Sequence, residues 1–166
     1  MKYSALLLLL ACTTRITFSQ AVERLRVTRP NAPLTVQDTI VALAIREAIL
    51  HGIPNFGPRQ HDVIVERVPG VVSPHALPSL PSVAFYLLDS VQIVGLANQV
   101  GDFPFLRPDA ARIDGDTATI GIISKLGPDV IPTSGRRYLS VGMCAWRAVR
   151  HLGAWTVDSL PLCGES

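Results

Sequence analysis

The sequence is poor in charged residues, which make up 17% of its 166 residues against roughly 25% in an average soluble chain. Hydrophobic residues reach 48%, and this combination excludes an intrinsically disordered chain. The formal net charge of +2 is too small for a polybasic nucleic-acid-binding protein. We therefore expect one small folded domain with no nucleic-acid partner.

The motifs of common enzyme and cofactor sites are also missing. There is no G-x-S-x-G nucleophile elbow, no H-E-x-x-H zinc motif, no C-x-x-C pair and no glycine-rich phosphate-binding pattern. The four histidines, His51, His61, His75 and His151, lack metal-ligand spacing. These absences predict no metal and no cofactor, and they favour a protein without catalytic activity.

No hydrophobic run is long enough for a membrane-spanning helix. The N-terminal run from Ala5 to Ala11 has seven residues, whereas a span needs about 20. A short apolar run directly after Lys2 is typical of a secretory signal peptide, which we predict as residues 1–11. Small residues at Thr17 and Ser19 offer an alternative leader, residues 1–19, followed by a soluble secreted product.

The residues that end the apolar run point to a lipid anchor. Leu9-Leu10-Ala11-Cys12 resembles the bacterial lipoprotein signal, in which small residues precede a cysteine that is lipidated. The resemblance implies that Cys12 is the mature N-terminus and holds the protein on a membrane surface. The expected location is the cell envelope, on its periplasmic or outer surface, or outside the cell if the protein is secreted.

The positive charge is concentrated in the stretch 12–34. It holds four arginines against one glutamate, a net charge of +3, whereas residues 35–166 hold ten basic and twelve acidic residues. Pro30 and Pro33 interrupt regular structure at its end. We predict a basic linker or tether over 12–34 and a single domain over 35–166.

The strongest helix pattern begins that domain. Thr35 and Asp38 form a capping-box pattern, apolar residues recur at helical spacing, and Gly52 stands where a helix terminates. Few charges interrupt residues 35–51, so this helix is expected to lie buried across a sheet. The next stretch, 53–82, contains six of the thirteen prolines around one alternating strand, 62–68. It is predicted as a long connecting loop or a partner-facing segment.

Regular structure resumes at residue 83. The pattern predicts a strand at 83–88, a helix from a Ser90 cap to Gln99 and an Asp114-Gly115 hairpin turn. Further strands are predicted at 103–106, 110–113, 117–124, 138–150 and 155–160. Strands joined by short turns are antiparallel. The predicted fold class is therefore α+β, with one long N-terminal helix packed on a twisted antiparallel sheet.

The order of these elements is similar in shape to the α+β roll of nuclear-transport-factor-like domains. The likeness covers residues 83–160 and includes the closing segment Gly153 to Val157. It implies a pocket between helix and sheet.

Three cysteines make an odd number. If Cys12 is lipidated or removed with the leader, Cys144 and Cys163 remain as a pair that can form a disulfide in an oxidising compartment. That bridge would fasten the C-terminus to the sheet and contribute about 3 kcal/mol. The alternative is a buried free Cys144 with Cys163 on a frayed tail.

The sequence thus predicts an exported binding or structural domain without catalysis. Its expected partners are a membrane surface, reached through the lipid, and a protein or small-molecule ligand. One alternative is a small pocketed hydrolase or isomerase that uses Asp and His. Another is an interaction module that uses the proline-rich loop. Trp146 and Trp155 are interpreted as packing residues.

Overall fold

The structure is a computed structural model and describes residues 16–53, 61–127 and 141–165, so Cys12 lies outside it. Within these ranges, three α-helices flank one curled sheet, and the predicted mixed α+β class is confirmed. The helices are Phe18–Val22 (α1), Val36–His51 (α2) and Ser90–Val100 (α3). The strands are Asp62–Glu66 (β1), Ala84–Leu88 (β2), Pro104–Pro108 (β3), Arg112–Asp114 (β4), Thr117–Leu126 (β5), Val141–His151 (β6), Ala154–Val157 (β7) and Leu162–Glu165 (β8).

The sheet is mixed, so the predicted all-antiparallel arrangement is wrong for its first half. The strand order is β2-β1-β3-β5-β6-β7, with β4 paired to β5 and β8 paired to β6. Strand β1 runs parallel to both β2 and β3, and the other pairs are antiparallel. Parallel neighbours require a crossover of about a dozen residues or more. The connections 67–83 and 89–103, the second containing α3, are long enough to provide them.

Helix α2 forms where the sequence predicts a helix, but it is not the first helix of the chain because α1 precedes it. Its inward face belongs to a cluster of buried apolar side chains that covers one face of the sheet. Ile40, Ile45 and Trp146 are among the largest members and are at most 1% exposed. The main core therefore lies between α2 and the sheet.

The predicted capping box opens α2. The Thr35 hydroxyl accepts a hydrogen bond from the Asp38 backbone N–H at 3.0 Å, and the Asp38 carboxylate accepts one from the Thr35 N–H at 3.0 Å. Asp38 also accepts a hydrogen bond from the Ser73 hydroxyl at 2.9 Å, which ties the helix start to the proline-rich stretch. Burial raises the pKa of Asp38, but the hydrogen bonds from Thr35, Ser73 and Leu34 outweigh it and leave that pKa below its usual value.

Asp38→Asn is expected to lower the free energy of unfolding at pH 7 by about 1 kcal/mol, the usual effect of a weakened cap. Because the folded-state pKa of Asp38 is depressed, its stabilisation is present above the unfolded pKa near 4 and is lost as the pH falls through the lower folded value. Urea unfolding from pH 7 down to pH 2 should therefore show a flatter acid limb in the variant. Ser73→Ala, which removes one of the hydrogen bonds to Asp38 and the hydroxyl that accepts from the His75 N–H, serves as the control and should flatten the acid limb less than Asp38→Asn does. Equal acid limbs in the wild-type protein and Asp38→Asn would contradict the assignment.

A second apolar cluster covers the other face of the β1–β3 region. Helices α1 and α3 pack there on side chains that include Ile64 and Phe105. The rings of Phe18 and Phe103 lie 5.4 Å apart. Further along, the Thr28 backbone N–H donates to the Phe85 carbonyl at 2.8 Å, beside the edge strand β2. Part of the stretch expected to be a linker therefore packs against the sheet.

Two local details of the fold refine the expected pattern. Helix α3 is capped by Asp89, whose carboxylate accepts from the Gln92 N–H at 2.8 Å, and the expected cap residue, Ser90, is the first helical residue. In the turn between β6 and β7, both Leu152 and Gly153 adopt positive φ, at 50° and 83°. This is the backbone of a tight two-residue hairpin turn.

Much of the proline-rich stretch also contributes to the core. Residues 54–60 lie outside the described ranges, and a short 3-10 helix spans Pro74–Ala76. Val72, Ala76 and Leu77 are buried in the cluster beneath α2. This part of the stretch packs against the domain.

Candidate functional site

The edge of the sheet beyond β6 is interrupted. Ala148 pairs with Val157 on β7, and Ala145 pairs with Leu162 on β8. Residues 158–161 therefore lie opposite only two residues of β6, and this segment, the edge bulge, holds two residues more than its partner. The Asp158 N–H still donates to the Arg147 carbonyl, at 3.0 Å. The bulge interrupts strand pairing beside Trp146. Its residues form one side of the cleft described below.

The two cysteines of the predicted pair fasten the bulge at its far end. Cys144 lies directly opposite Cys163 in the β6–β8 pairing, with their Sγ atoms 2.02 Å apart. Cys144 is fully buried beneath α2. The bridge holds β8 on β6, as the sequence predicts for the C-terminus, and so determines where the bulge ends. Disulfides are typical of oxidising, exported compartments.

A cleft of about 430 Å³ lies between the C-terminal half of α2, strand β7 and the edge bulge. The volume is within the range of small-molecule sites. Its main lining side chains are Leu43, Arg46, Glu47 and His51 from α2, Trp146 from β6 and Trp155 from β7, with the bulge as the facing wall.

Both tryptophans of the chain line this cleft. Trp146 is 1% exposed, and its indole Nε1 has no hydrogen-bond acceptor among the described residues. A buried donor without an acceptor costs about 1–3 kcal/mol. Trp155 is half-buried, and the Arg150 guanidinium carbon lies 5.6 Å from its ring centroid. Arg150 is held in turn by Asp116, which accepts from its Nε at 2.7 Å. Trp146 therefore has the predicted packing role, whereas Trp155 is half-buried and lines the cleft with part of its ring exposed.

The charged groups of the cleft are divided between paired and unpaired ones. Glu47 and His51 stand one helical turn apart, with Oε2 and Nε2 separated by 3.0 Å. Asp158 lies 3.5 Å from the Arg147 guanidinium. Arg46 is exposed and forms neither an ion pair nor a side-chain hydrogen bond with any described residue. The cleft thus contains two engaged carboxylates and one unengaged guanidinium.

The space between α2 and the centre of the sheet is filled by apolar side chains. Ile45, Leu106 and Ile120 are buried to 2% exposure or less in this layer. The pocket that the roll likeness implies between helix and sheet is therefore not found among the described residues, and the cleft lies instead at the edge of the domain, beside β7 and the edge bulge. It is open to solvent at that edge.

The remaining candidate groups are scattered. Asp114 and Asp116 lie at the β4–β5 hairpin, as turn chemistry predicts, and the described part of the chain contains no group of three potential metal-ligating side chains. None of its helices is long and apolar enough to cross a membrane. The cleft tryptophans carry no sequence signal of a site, because their proximity arises from the β6–β7 hairpin and α2 together. The Glu47/His51 spacing of four residues is a local signal that could have drawn attention to this helix face.

A second depression lies beside α2. This groove of about 750 Å³ is lined by four prolines, Pro30, Pro33, Pro78 and Pro81, and by the exposed Leu50. Leu43 and Arg46 line both the groove and the cleft. These two residues form the ridge between them.

No protein-family model, no curated protein and no solved structure matches this chain.

Proposed function

We propose that the protein is an exported, non-catalytic binding domain and that the cleft between α2 and the edge bulge receives a small ligand. The observation that carries the proposal is the buried indole N–H of Trp146, which has no acceptor among the described residues although its side chain lines a cleft of ligand size. Indole nitrogen only donates, so an acceptor atom supplied from the cleft would offset the cost of its burial.

The aromatic and apolar side chains that line the cleft also support ligand binding. Trp155 offers a half-buried aromatic surface, and the leucine of the ridge adds an apolar neighbour. Aromatic walls combined with a few polar groups are the usual make-up of small-molecule sites. The two walls come from distant parts of the chain and meet at the edge of a packed core, so the site is largely formed before a ligand arrives.

Catalysis is the less favoured function for this cleft. The enzyme alternative requires an enclosed cavity between helix and sheet with a carboxylate or imidazole facing inward. The interior is packed instead, and the nearest such groups, Glu47 and His51, are bonded to each other at an open edge. An acid or base that catalyses proton transfer must reach its substrate in a positioned, protected site.

We expect small ring compounds to change the tryptophan fluorescence of the protein in a saturable way, because both fluorophores line the cleft. Suitable probes are phenylacetate, phenylacetamide, benzyltrimethylammonium and methyl glucoside. Trp155→Ala should weaken the tightest-binding probe by about tenfold or more, since it removes the aromatic wall while Trp146 remains as reporter.

Phe18→Ala is the matched control, a half-buried aromatic ring on the opposite face of the sheet. It should leave the probe affinity unchanged. The absence of a saturable response to any of the four probes, or equal weakening by the two variants, would contradict the proposed site.

The anchored location remains part of the proposal, with the leader ending at residue 11 and Cys12 lipidated. Helix α1 supports this cut over the alternative after Ser19. The alternative would divide α1, removing its N-cap Thr17 and the ring of Phe18 that packs on Phe103. The buried Ala21 and Val22 would then lose the helix that holds them in the second cluster.

Expression of the full chain in a bacterial host should yield a membrane-associated protein whose N-terminus is Cys12. The intact mass identifies the N-terminal residue, and labelling with a radioactive fatty acid detects the lipid. Cys12→Ala should abolish the label, whereas Cys163→Ala should keep it. A mature chain that begins at Gln20, or unchanged soluble export without label, would contradict the lipid anchor.

A further inference from the structure

The hydrogen-bonding groups of the cleft differ in whether the protein already occupies them. Both carboxylates have a partner: Glu47 lies 3.0 Å from the His51 imidazole, and Asp158 lies 3.5 Å from the Arg147 guanidinium. The donors do not: Arg46 and the Trp146 N–H have no partner among the described residues. Among the charged groups of the cleft, both carboxylates therefore have partners, whereas the Arg46 guanidinium has none among the described residues.

We infer that the ligand is a small anion, a carboxylate attached to an apolar ring. This inference rests on the proposed function and adds the chemical class of the ligand. The planar guanidinium of Arg46 matches a carboxylate through two parallel N–H···O bonds. The ring packs against Trp155, whose half-buried indole forms the apolar part of the wall.

The position of Arg46 is consistent with binding the carboxylate while Trp155 binds the ring. It stands on the ridge of α2 at the mouth of the cleft, exposed to solvent, whereas the tryptophans lie further in. A carboxylate bound at the mouth keeps part of its hydration, so the protein avoids the cost of burying a full charge. The apolar ring leaves water on entering, which is the favourable part of the transfer.

Two other ligand classes fit the same groups less well. A cationic ligand would need a carboxylate without a partner, but Glu47 lies beside His51 and Asp158 lies beside Arg147. A sugar would need acceptors for its hydroxyl groups as well as donors. The charged acceptors of the cleft already have partners, and its one charged group without a partner among the described residues, Arg46, is a donor, which favours a ligand rich in acceptors.

The test uses three ring probes that differ in charge: phenylacetate, phenylacetamide and benzyltrimethylammonium. Titrations are followed by the two indole N–H signals in ¹H–¹⁵N spectra, one from each tryptophan. Phenylacetate should bind at least about tenfold more tightly than the amide, the size of one charge-assisted contact. Arg46→Gln should remove that preference and leave amide binding unchanged. Arg112→Gln, an exposed arginine on β4 away from the cleft, should retain it.

The outcomes separate this inference from the proposed function. Equal binding of acid and amide, tighter binding of the cation, or an unchanged preference in Arg46→Gln would overturn the carboxylate class while leaving a ligand-binding cleft. Failure of all three probes and of methyl glucoside to shift either indole signal would overturn both. Because Arg46 is exposed and glutamine is a good helix former, the variant is expected to fold normally.

Discussion

Ile45→Ala is expected to lower the free energy of unfolding by about 2–5 kcal/mol. Ile45 is fully buried in the middle of α2 and belongs to the layer between that helix and the sheet. Truncation removes apolar contacts and leaves a void that the surrounding close-packed side chains fill only in part. Equilibrium unfolding in urea measures the loss.

Leu50→Ala provides a matched control because Leu50 lies on the same helix and is 50% exposed. It should change the free energy of unfolding by less than about 1 kcal/mol. Similar losses in the two variants would mean that α2 does not present this face to the sheet. Comparing Ile45→Ala with Leu50→Ala also tests the position of the cleft, because the face of α2 that packs on the sheet determines where the side chains of Glu47 and His51 lie.

Cys163→Ser should lower the free energy of unfolding by about 3 kcal/mol, the chain-entropy value for a loop of this size. The cysteine left behind, Cys144, is fully buried and packs as a small apolar side chain when free. The variant should therefore fold, but β8 loses its covalent attachment to β6. Binding to the cleft is expected to weaken with it, because the far end of the edge bulge is then held only by the strand pairing of β8 with β6.

The reductant dependence of unfolding is the decisive measurement. Dithiothreitol should lower the free energy of unfolding of the wild-type protein by the same amount as the Cys163→Ser substitution does. It should leave the free energy of unfolding of Cys163→Ser unchanged. A wild-type protein that is indifferent to reductant would contradict the bridge. Loss of stability without loss of probe binding would show that the bulge keeps its place without the disulfide.

These two variants act on the two walls of one cleft. Ile45 packs between α2 and the sheet and so holds the helix that forms one side of the cleft. The Cys144–Cys163 bridge joins β8 to β6 and so holds the end of the edge bulge, which forms the other side. Neither residue lines the cleft. Their effects on binding are therefore indirect, whereas that of Trp155→Ala is direct, and the three variants together distinguish loss of the site from loss of its supports.

Features encoded within a few residues were predictable from the sequence. The capping box of α2 and its terminating glycine appear where the pattern predicts them, and the predicted Asp114-Gly115 hairpin forms one residue later, with Gly115 and Asp116 as its turn residues, because caps and tight turns depend on local backbone chemistry. The pairing of Cys144 with Cys163 was also predictable, because only these two cysteines remain when Cys12 is assigned to the leader or the lipid anchor.

Features that join distant parts of the chain were less accessible. The parallel pairing of β1 was missed because alternation and turn residues identify a strand but not its neighbour. Helix α1 was missed because five residues are too few for a periodic signal, and its stability comes from packing on the second cluster.

The sequence by itself determined the class of the domain, its longest helix, its tight turns and its separate cysteine pair. Only the tertiary structure decided that Trp146, Trp155 and the Glu47–His51 pair meet at one edge of the sheet. The physical reason is that this meeting depends on where α2 crosses β6 and on a two-residue excess in the opposite strand. Both are products of long-range packing and strand register, to which no short stretch of sequence is sensitive.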